Sequence, residues 1–285
     1  MTRLFLINDL HLEHRQEERF SFTGKPDVVV LAGDLHTKSR GVAWAAETFG
    51  DIPVVYVLGN HEGWGGHWER TVEKMRQAAE GTNVHVLHRD QVVLAGVRFV
   101  GATLWTDFSA WPDRDEAIAA AARAHNDRMA PGMRDYRKIT TGSFRRLHPL
   151  DVLRFNEADR AFLLNACAQP HEGPTVVVTH HPPVLSALKK PLSDPSDAAY
   201  ASDWEAGVRT MHPAAWLYGH THAPRYTQVG STLLASHAAG HPEEKLPPLY
   251  RNAIEIPLDG APAHIVEDQF DLVAEPLPRN RKPSL

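Results

Sequence analysis

Five short, nearly all-apolar runs in this chain each end abruptly in Asp, Asn or His, and that repetition limits what the chain can fold into. Residues 3–7 lead into Asn8-Asp9-Leu10-His11, residues 27–32 into Gly33-Asp34, and residues 53–58 into Gly59-Asn60-His61-Glu62. Residues 175–179 lead into His180-His181-Pro182-Pro183, and residues 214–218 into Gly219-His220-Thr221-His222. Short β-branched runs without polar alternation read as strands buried on both faces. Helix-like segments at 41–49 and 67–80 separate the first three runs. That βαβαβ rhythm implies parallel strands with right-handed crossovers. In open α/β sheets sites gather at the carboxyl ends of strands, and every one of these polar clusters falls there.

The middle of the chain reads differently. Residues 84–87, 91–95 and 97–104 are short runs split by turn signals such as Ala95-Gly96, which suits antiparallel pairing. Residues 107–148 read as an insertion, with an Ala-rich helix at 116–129 and an Arg- and Tyr-bearing stretch at 131–146. A helix at 149–168 opens on Pro149, a favoured first-turn residue. Strands near 225–229, 232–235 and 253–256 complete the sheets. Residues 1–275 therefore read as a single domain with a rim segment at 107–148, and residues 276–285 as a disordered tail.

A formal net charge of −5 argues against holding nucleic acid by bulk positive charge. The one cysteine, Cys167, allows no intramolecular disulfide and no thiolate-rich metal site, and its apolar helical setting suits a buried, inert thiol. The apolar start of the chain is too short for a signal peptide, and no stretch is long enough to cross a bilayer, so a cytoplasmic location is the expectation. Histidine stands out instead: there are 18, several beside Asp, Asn or Gly at the run ends. Such oxygen and nitrogen donors suit Mn, Fe and Zn. Asp9 and His11 are two residues apart, so both point to one side of an extended strand end, and His220 and His222 repeat the spacing. The glycines before Asp34, Asn60 and His220 are expected to permit sharp turns. His14 and His36 read as exposed rim residues and His88 as a surface residue; Trp64 reads as core, with pocket lining the alternative because it follows Gly59-Asn60-His61-Glu62, and His237 and His241 read as loop residues, with lining of the same pocket the alternative.

The order and wording of the clusters closely resemble the calcineurin-like metallophosphoesterase superfamily: DLH at 9–11, GD at 33–34, GNHE at 59–62, THHPP at 179–183 and GHTH at 219–222. The resemblance implies a four-layer αββα sandwich of two mixed sheets flanked by helices. It implies two divalent or trivalent metal ions (Mn, Fe or Zn), the first held by Asp9, His11, Asp34 and His222. The second would take Asn60, His180 and His220, with Asp34 bridging. His61 would face the substrate phosphate as general acid or charge-stabilising group, Glu62 would support from behind, and His181 would be a candidate substrate contact. The implied reaction is hydrolysis of a phosphomonoester or phosphodiester by in-line attack of a metal-bridging hydroxide. Two departures bear on this. Many relatives carry a second acid shortly after the Gly-Asp motif, where this chain reads GDLHTK, and the tyrosine ligand of purple acid phosphatases is replaced by Thr37.

The expected partner is a small-molecule phosphate ester, with no membrane. A nuclease or a phosphoprotein phosphatase on the same site is the alternative, and a non-catalytic interaction module a weaker one, since every expected ligand position is filled. Within the insertion, Arg134, Arg137, Lys138, Arg145 and Arg146 form the strongest local positive cluster. Arg137 is the candidate substrate clamp there, because a guanidinium fork grips phosphate in a bidentate manner.

Overall fold

The structure, a computed structural model, describes residues 1–16, 18–126, 133–268 and 270–276. Two six-stranded mixed sheets form its centre. The first has the order His264–Val266, Ala253–Ile256, Thr2–Ile7, Val28–Leu31, Val54–Val57 and Val84–Leu87. The second has the order Arg225–Val229, Thr232–Ser236, Ala215–Leu217, Thr175–Thr179, Val97–Ala102 and Asp90–Leu94. In each sheet the central neighbouring strands run parallel; antiparallel strands close both edges of the second sheet and one edge of the first, whose other edge, Val84–Leu87, is parallel.

Side-chain alternation sorts these residues into layers, because successive side chains on a strand face opposite sides. Leu4, Leu6, Val28, Val30, Val55 and Val57 meet Val97, Phe99, Val176 and Val178 of the other sheet in one buried cluster. Phe5, Ile7, Val29 and Tyr56 face the other way, against helices Arg40–Phe49 and Trp68–Ala79. Val100, Val177 and Trp216 of the second sheet pack on helices Pro149–Ala168 and Glu205–Met211. The result is the four-layer αββα sandwich. Both faces of both sheets are covered, which is why the central strands read as continuous apolar runs.

Several expectations shift. The strand expected at 97–104 stops at Ala102, because Leu104 and Trp105 take left-handed backbone angles. The insertion helix begins at Arg114 rather than 116, where the Asp113 carboxylate accepts the Glu116 N–H, and it is described to Asn126. Glu18–Thr23 pairs antiparallel with Asp271–Pro276, two strands beyond those the sequence pattern predicts. Phe20 and Phe22 alternate with polar residues there, a pattern that also fits a loop until its partner is known. Gly66–His67, Ile139–Thr141 and Arg145–Arg146 form a small third sheet that ties the insertion to the GNHE loop. His88 is buried beside Trp68, not on the surface, and burial lowers its pKa to about 3. Pro276 ends a strand; the rest of the expected tail, 277–285, lies outside the described residues. No helix among the described residues is long and apolar enough to cross a membrane.

Candidate metal centre

The polar clusters meet at the carboxyl ends of the central strands. The loops after Thr2–Ile7 and Val28–Leu31 are joined by backbone hydrogen bonds, Asp9 N–H to Gly33 O at 3.1 Å, His11 N–H to Asp34 O at 3.0 Å and Leu12 N–H to Leu35 O at 2.9 Å. They act as a continuation of the parallel pair. Within the second sheet Gly219 N–H to His180 O at 2.9 Å continues the parallel pairing, and the His220 N–H reaches across from it to the Asp9 carboxylate of the first sheet at 3.0 Å.

This geometry requires strained backbone. Asp9, His11, Asp34, His220 and His222 all have positive φ, between 47° and 70°. A non-glycine residue there costs roughly 1–2 kcal/mol, and such outliers gather at functional sites. Of the motif glycines, Gly33 does supply a left-handed turn (φ 85°). Gly59 is needed for a different reason: a Cβ there would run into the Asp34 carboxylate and its backbone nitrogen.

The donor atoms form two groups. His11 Nε2 lies 2.9 Å from His222 Nε2 and 4.0 Å from Asp34 Oδ2, and His222 Nε2 lies 3.7 Å from Asp9 Oδ1. On the other side His180 Nε2 lies 3.0 Å from Asn60 Oδ1 and 3.4 Å from Asp34 Oδ1. His220 Nε2 is buried there with no hydrogen-bond partner among the described residues. A buried ring nitrogen with nothing to bond is costly, and facing imidazole nitrogens and carboxylates are the chemistry of a cation site. The set fits metal ions. Asp34 turns one oxygen to each group.

A model of the calcineurin-like phosphoesterase family matches residues 2–224. This chain belongs to the calcineurin-like phosphoesterase family. A protein of Acanthamoeba polyphaga mimivirus, L509, is 22% identical over 278 residues, covering 86% of this chain and 93% of that protein. Phosphopantetheinyl hydrolase from Mycobacterium tuberculosis superposes with a TM-score of 0.62 at 20% identity, over 84% of this chain and 89% of that one. At that identity the likeness is one of fold.

Around the donor groups lies a cleft of about 810 Å³. His61 lines it, stacked on Trp64 with ring centroids 3.4 Å apart, and Lys138 Nζ sits 3.6 Å over the Trp64 ring. His61 Nδ1 is 2.6 Å from Glu13 Oε1, and its Nε2 lies 3.8 Å from Asp34 Oδ2. Burial lowers the His61 pKa, but the Asp34 charge and the Glu13 hydrogen bond outweigh it and leave it above the usual value. Burial likewise raises Glu13, and its bonds to His11 and His61 more than reverse that. Glu62 supports from behind: its carboxylate accepts the Asp34, Leu35 and Gly59 N–H groups and the Tyr56 hydroxyl at 2.7–3.1 Å. Burial and the Asp34 charge push it up to about 7.

Two candidate substrate residues are not placed at the cleft. His181 is 1% exposed, its ring packed against Trp105 and His220, and it is not among the lining residues. Its N–H bonds Thr103 O, which draws it inward at the strand end. Arg137 is on the short helix Asp135–Lys138, two residues from Asp135, whose carboxylate accepts from Asn60 Nδ2 and Trp64 Nε1. Arg137 is not among the residues that line the cleft. Arg134 lines the cleft instead. Arg145 is bound by Asp151 in a separate groove with Arg146. Of the late histidines, His241 lines the cleft and stacks on His11 at 4.2 Å, whereas His237 is buried between Leu6 O and the Tyr226 hydroxyl.

Sequence reasoning missed Glu13, Asp135 and Glu244. Glu13 continues the period-two series Asp9, His11, Glu13, so spacing carried that signal. Asp135 arrives at the start of a short helix and Glu244 from a loop, neither within a motif.

Proposed function

We propose that this phosphoesterase hydrolyses a small-molecule phosphomonoester or phosphodiester at a centre that holds two metal ions, of Mn, Fe or Zn. One observation carries the reading: Asp34 offers Oδ2 to the group of Asp9, His11 and His222 and Oδ1 to the group of Asn60, His180 and His220. A carboxylate so placed offsets the repulsion between two cations. Bound cations would supply an activated water and a clamp for phosphoryl oxygens.

The chain's own residues supply the rest. His61 presents Nε2 to the cleft while Glu13 holds Nδ1, so it is oriented to give a proton to a departing oxygen. Trp64 and Lys138 keep the ring from swinging out. Arg134 and Lys189 offer positive charge to an anionic substrate at the mouth. Glu243 and Glu244 share that mouth, which disfavours a long polyanion such as nucleic acid.

The test is a chelator-stripped preparation to which Mn, Fe or Zn is added back, assayed on aryl monoesters, aryl diesters and cyclic nucleotides. Turnover should need metal, and two ions should bind per chain. Asp34→Ala should abolish turnover and loosen both ions. Full turnover after chelation, or an Asp34→Ala protein that keeps two tight ions, would overturn the reading.

A further inference from the structure

The residues proposed as metal ligands are held in different ways. His180 is fixed from behind by Nδ1 against Ala32 O at 2.9 Å, and Asp9 by the Asn8 side-chain amide at 2.6 Å. The side chains of Asp9, His11, Asp34 and His180 are at most 3% exposed, so packing also confines them. His222 is the exception. Its side chain is 15% exposed and lines the cleft. Packing alone leaves that ring free to turn.

A carboxylate from another loop holds it. Glu244 Oε2 is 2.5 Å from His222 Nδ1 and accepts the His241 N–H at 3.0 Å, and its Oε1 meets Lys189 Nζ at 3.1 Å. A ring that gives its Nδ1 proton to a carboxylate keeps its lone pair on Nε2, the atom that faces His11 and Asp9. Glu244 lies beyond residue 224, where the family match ends. We propose that Glu244 is the positioning residue for His222: it fixes the tautomer and rotation that make Nε2 a metal donor, and thereby sets the affinity of one of the two cation positions. Lys189 anchors the far oxygen. The inference rests on the two-cation reading above.

The test is calorimetric titration of chelator-stripped full-length protein with Mn and with Zn, with metal content checked by elemental analysis. Partners behind metal-ligating histidines are worth roughly 10- to 100-fold in affinity. Glu244→Ala should weaken one of the two binding events by about that factor and leave the other nearly unchanged. Glu244→Gln, which keeps an acceptor oxygen without the charge, should show a smaller loss and stands in should the alanine variant fail to fold. In a His222→Ala background Glu244→Ala should cost nothing further, because partners that act as one unit are not additive. Equal weakening of both events, an undiminished loss without His222, or no loss at all would overturn the proposal. A wild-type protein that takes up fewer than two ions would overturn the two-cation reading and this inference with it. Two tight ions with an indifferent Glu244→Ala would overturn this inference alone.

Discussion

Glu13 and His61 come from loops 48 residues apart in sequence and form the shortest carboxylate–imidazole contact His61 makes, 2.6 Å. The carboxylate also lies 3.3 Å from His11 Nδ1, so one acid steadies both a proposed metal ligand and the proposed proton donor. The two roles can be separated by kinetics. His61→Ala should lower kcat by ~10²-fold on esters with poor leaving groups and by much less on activated aryl esters, which need no proton. Glu13→Gln should follow the same leaving-group trend with a loss of roughly tenfold or more, through misorientation of His61. Any loss in the double variant beyond that of His61→Ala alone would report the support Glu13 gives to His11. Steady-state rates on a series of aryl esters decide it; an equal loss on every ester would rule out the proton-donor role. At this scale strain is also informative. Five proposed ligands with positive φ persist only because the paired loops and the Glu62 carboxylate over-determine their positions.

The helix Pro149–Ala168 buttresses the site from one layer away. It starts with a capping box between His148 and Asp151 and with Pro149 in its first turn. One turn further on, two buried side chains grip a single strained residue: Asn156 Nδ2 donates to Leu104 O at 2.8 Å, and the Asp159 carboxylate accepts the Leu104 N–H at 2.8 Å. The neighbouring Thr103 O receives the His180 and His181 N–H groups, so the clamp reaches the ligand loop through one residue. Burial pushes the Asp159 carboxyl up to about 7, with the Arg89 charge and the Leu104 N–H offsetting only part. Unfolded aspartate titrates near 4. Between about 4 and 7 the native state therefore holds more protons than the unfolded chain, and stability falls as pH rises through that window. Asp159→Asn should remove that fall, leaving the variant more stable than wild type at pH 8 by on the order of 3 kcal/mol. Thermal unfolding between pH 5 and 8 measures it, and parallel curves for the two proteins would show that Asp159 is not the source.

The whole molecule works as two half-sites brought together by the packing of two sheets. The first sheet carries Asp9, His11, Asp34, Asn60 and His61 at its strand ends, and the second carries His180, His220 and His222. Neither sheet alone holds a full donor group. The gap between sheets is set near the site by Gly101, where a Cβ would collide with Leu87 and meet Val57 at 3.0 Å. Close by, Thr103 Oγ1 donates to Leu58 O at 2.9 Å across the same gap. Gly101→Ala should therefore cost about 1–3 kcal/mol by overpacking, and it should also weaken metal binding, because the half-sites are wedged apart. Thermal melts and metal titration together test this. A stability loss with unchanged metal affinity would mean the sheets yield elsewhere and the site is not set by their spacing.

The sequence alone determined the parts of this protein that repeat locally. Apolar runs buried on both faces left no period-two alternation to confuse them with surface strands, and the polar residues after each run marked the strand ends where a site forms. Asp9, His11, Asp34, Asn60, His61, His180, His220 and His222 were legible because each sits within a few residues of such an end. Only the tertiary structure decided what approaches those residues from a distance. Glu244 reaches His222 from 22 residues away, Asp135 reaches Asn60 from 75, and nothing in their own neighbourhoods marks either. The same holds for Arg134, rather than Arg137, lining the cleft and for the burial of His181 at its strand end. Local pattern records what a segment must bury. Which carboxylate meets which imidazole is fixed when the two sheets and their loops close on each other.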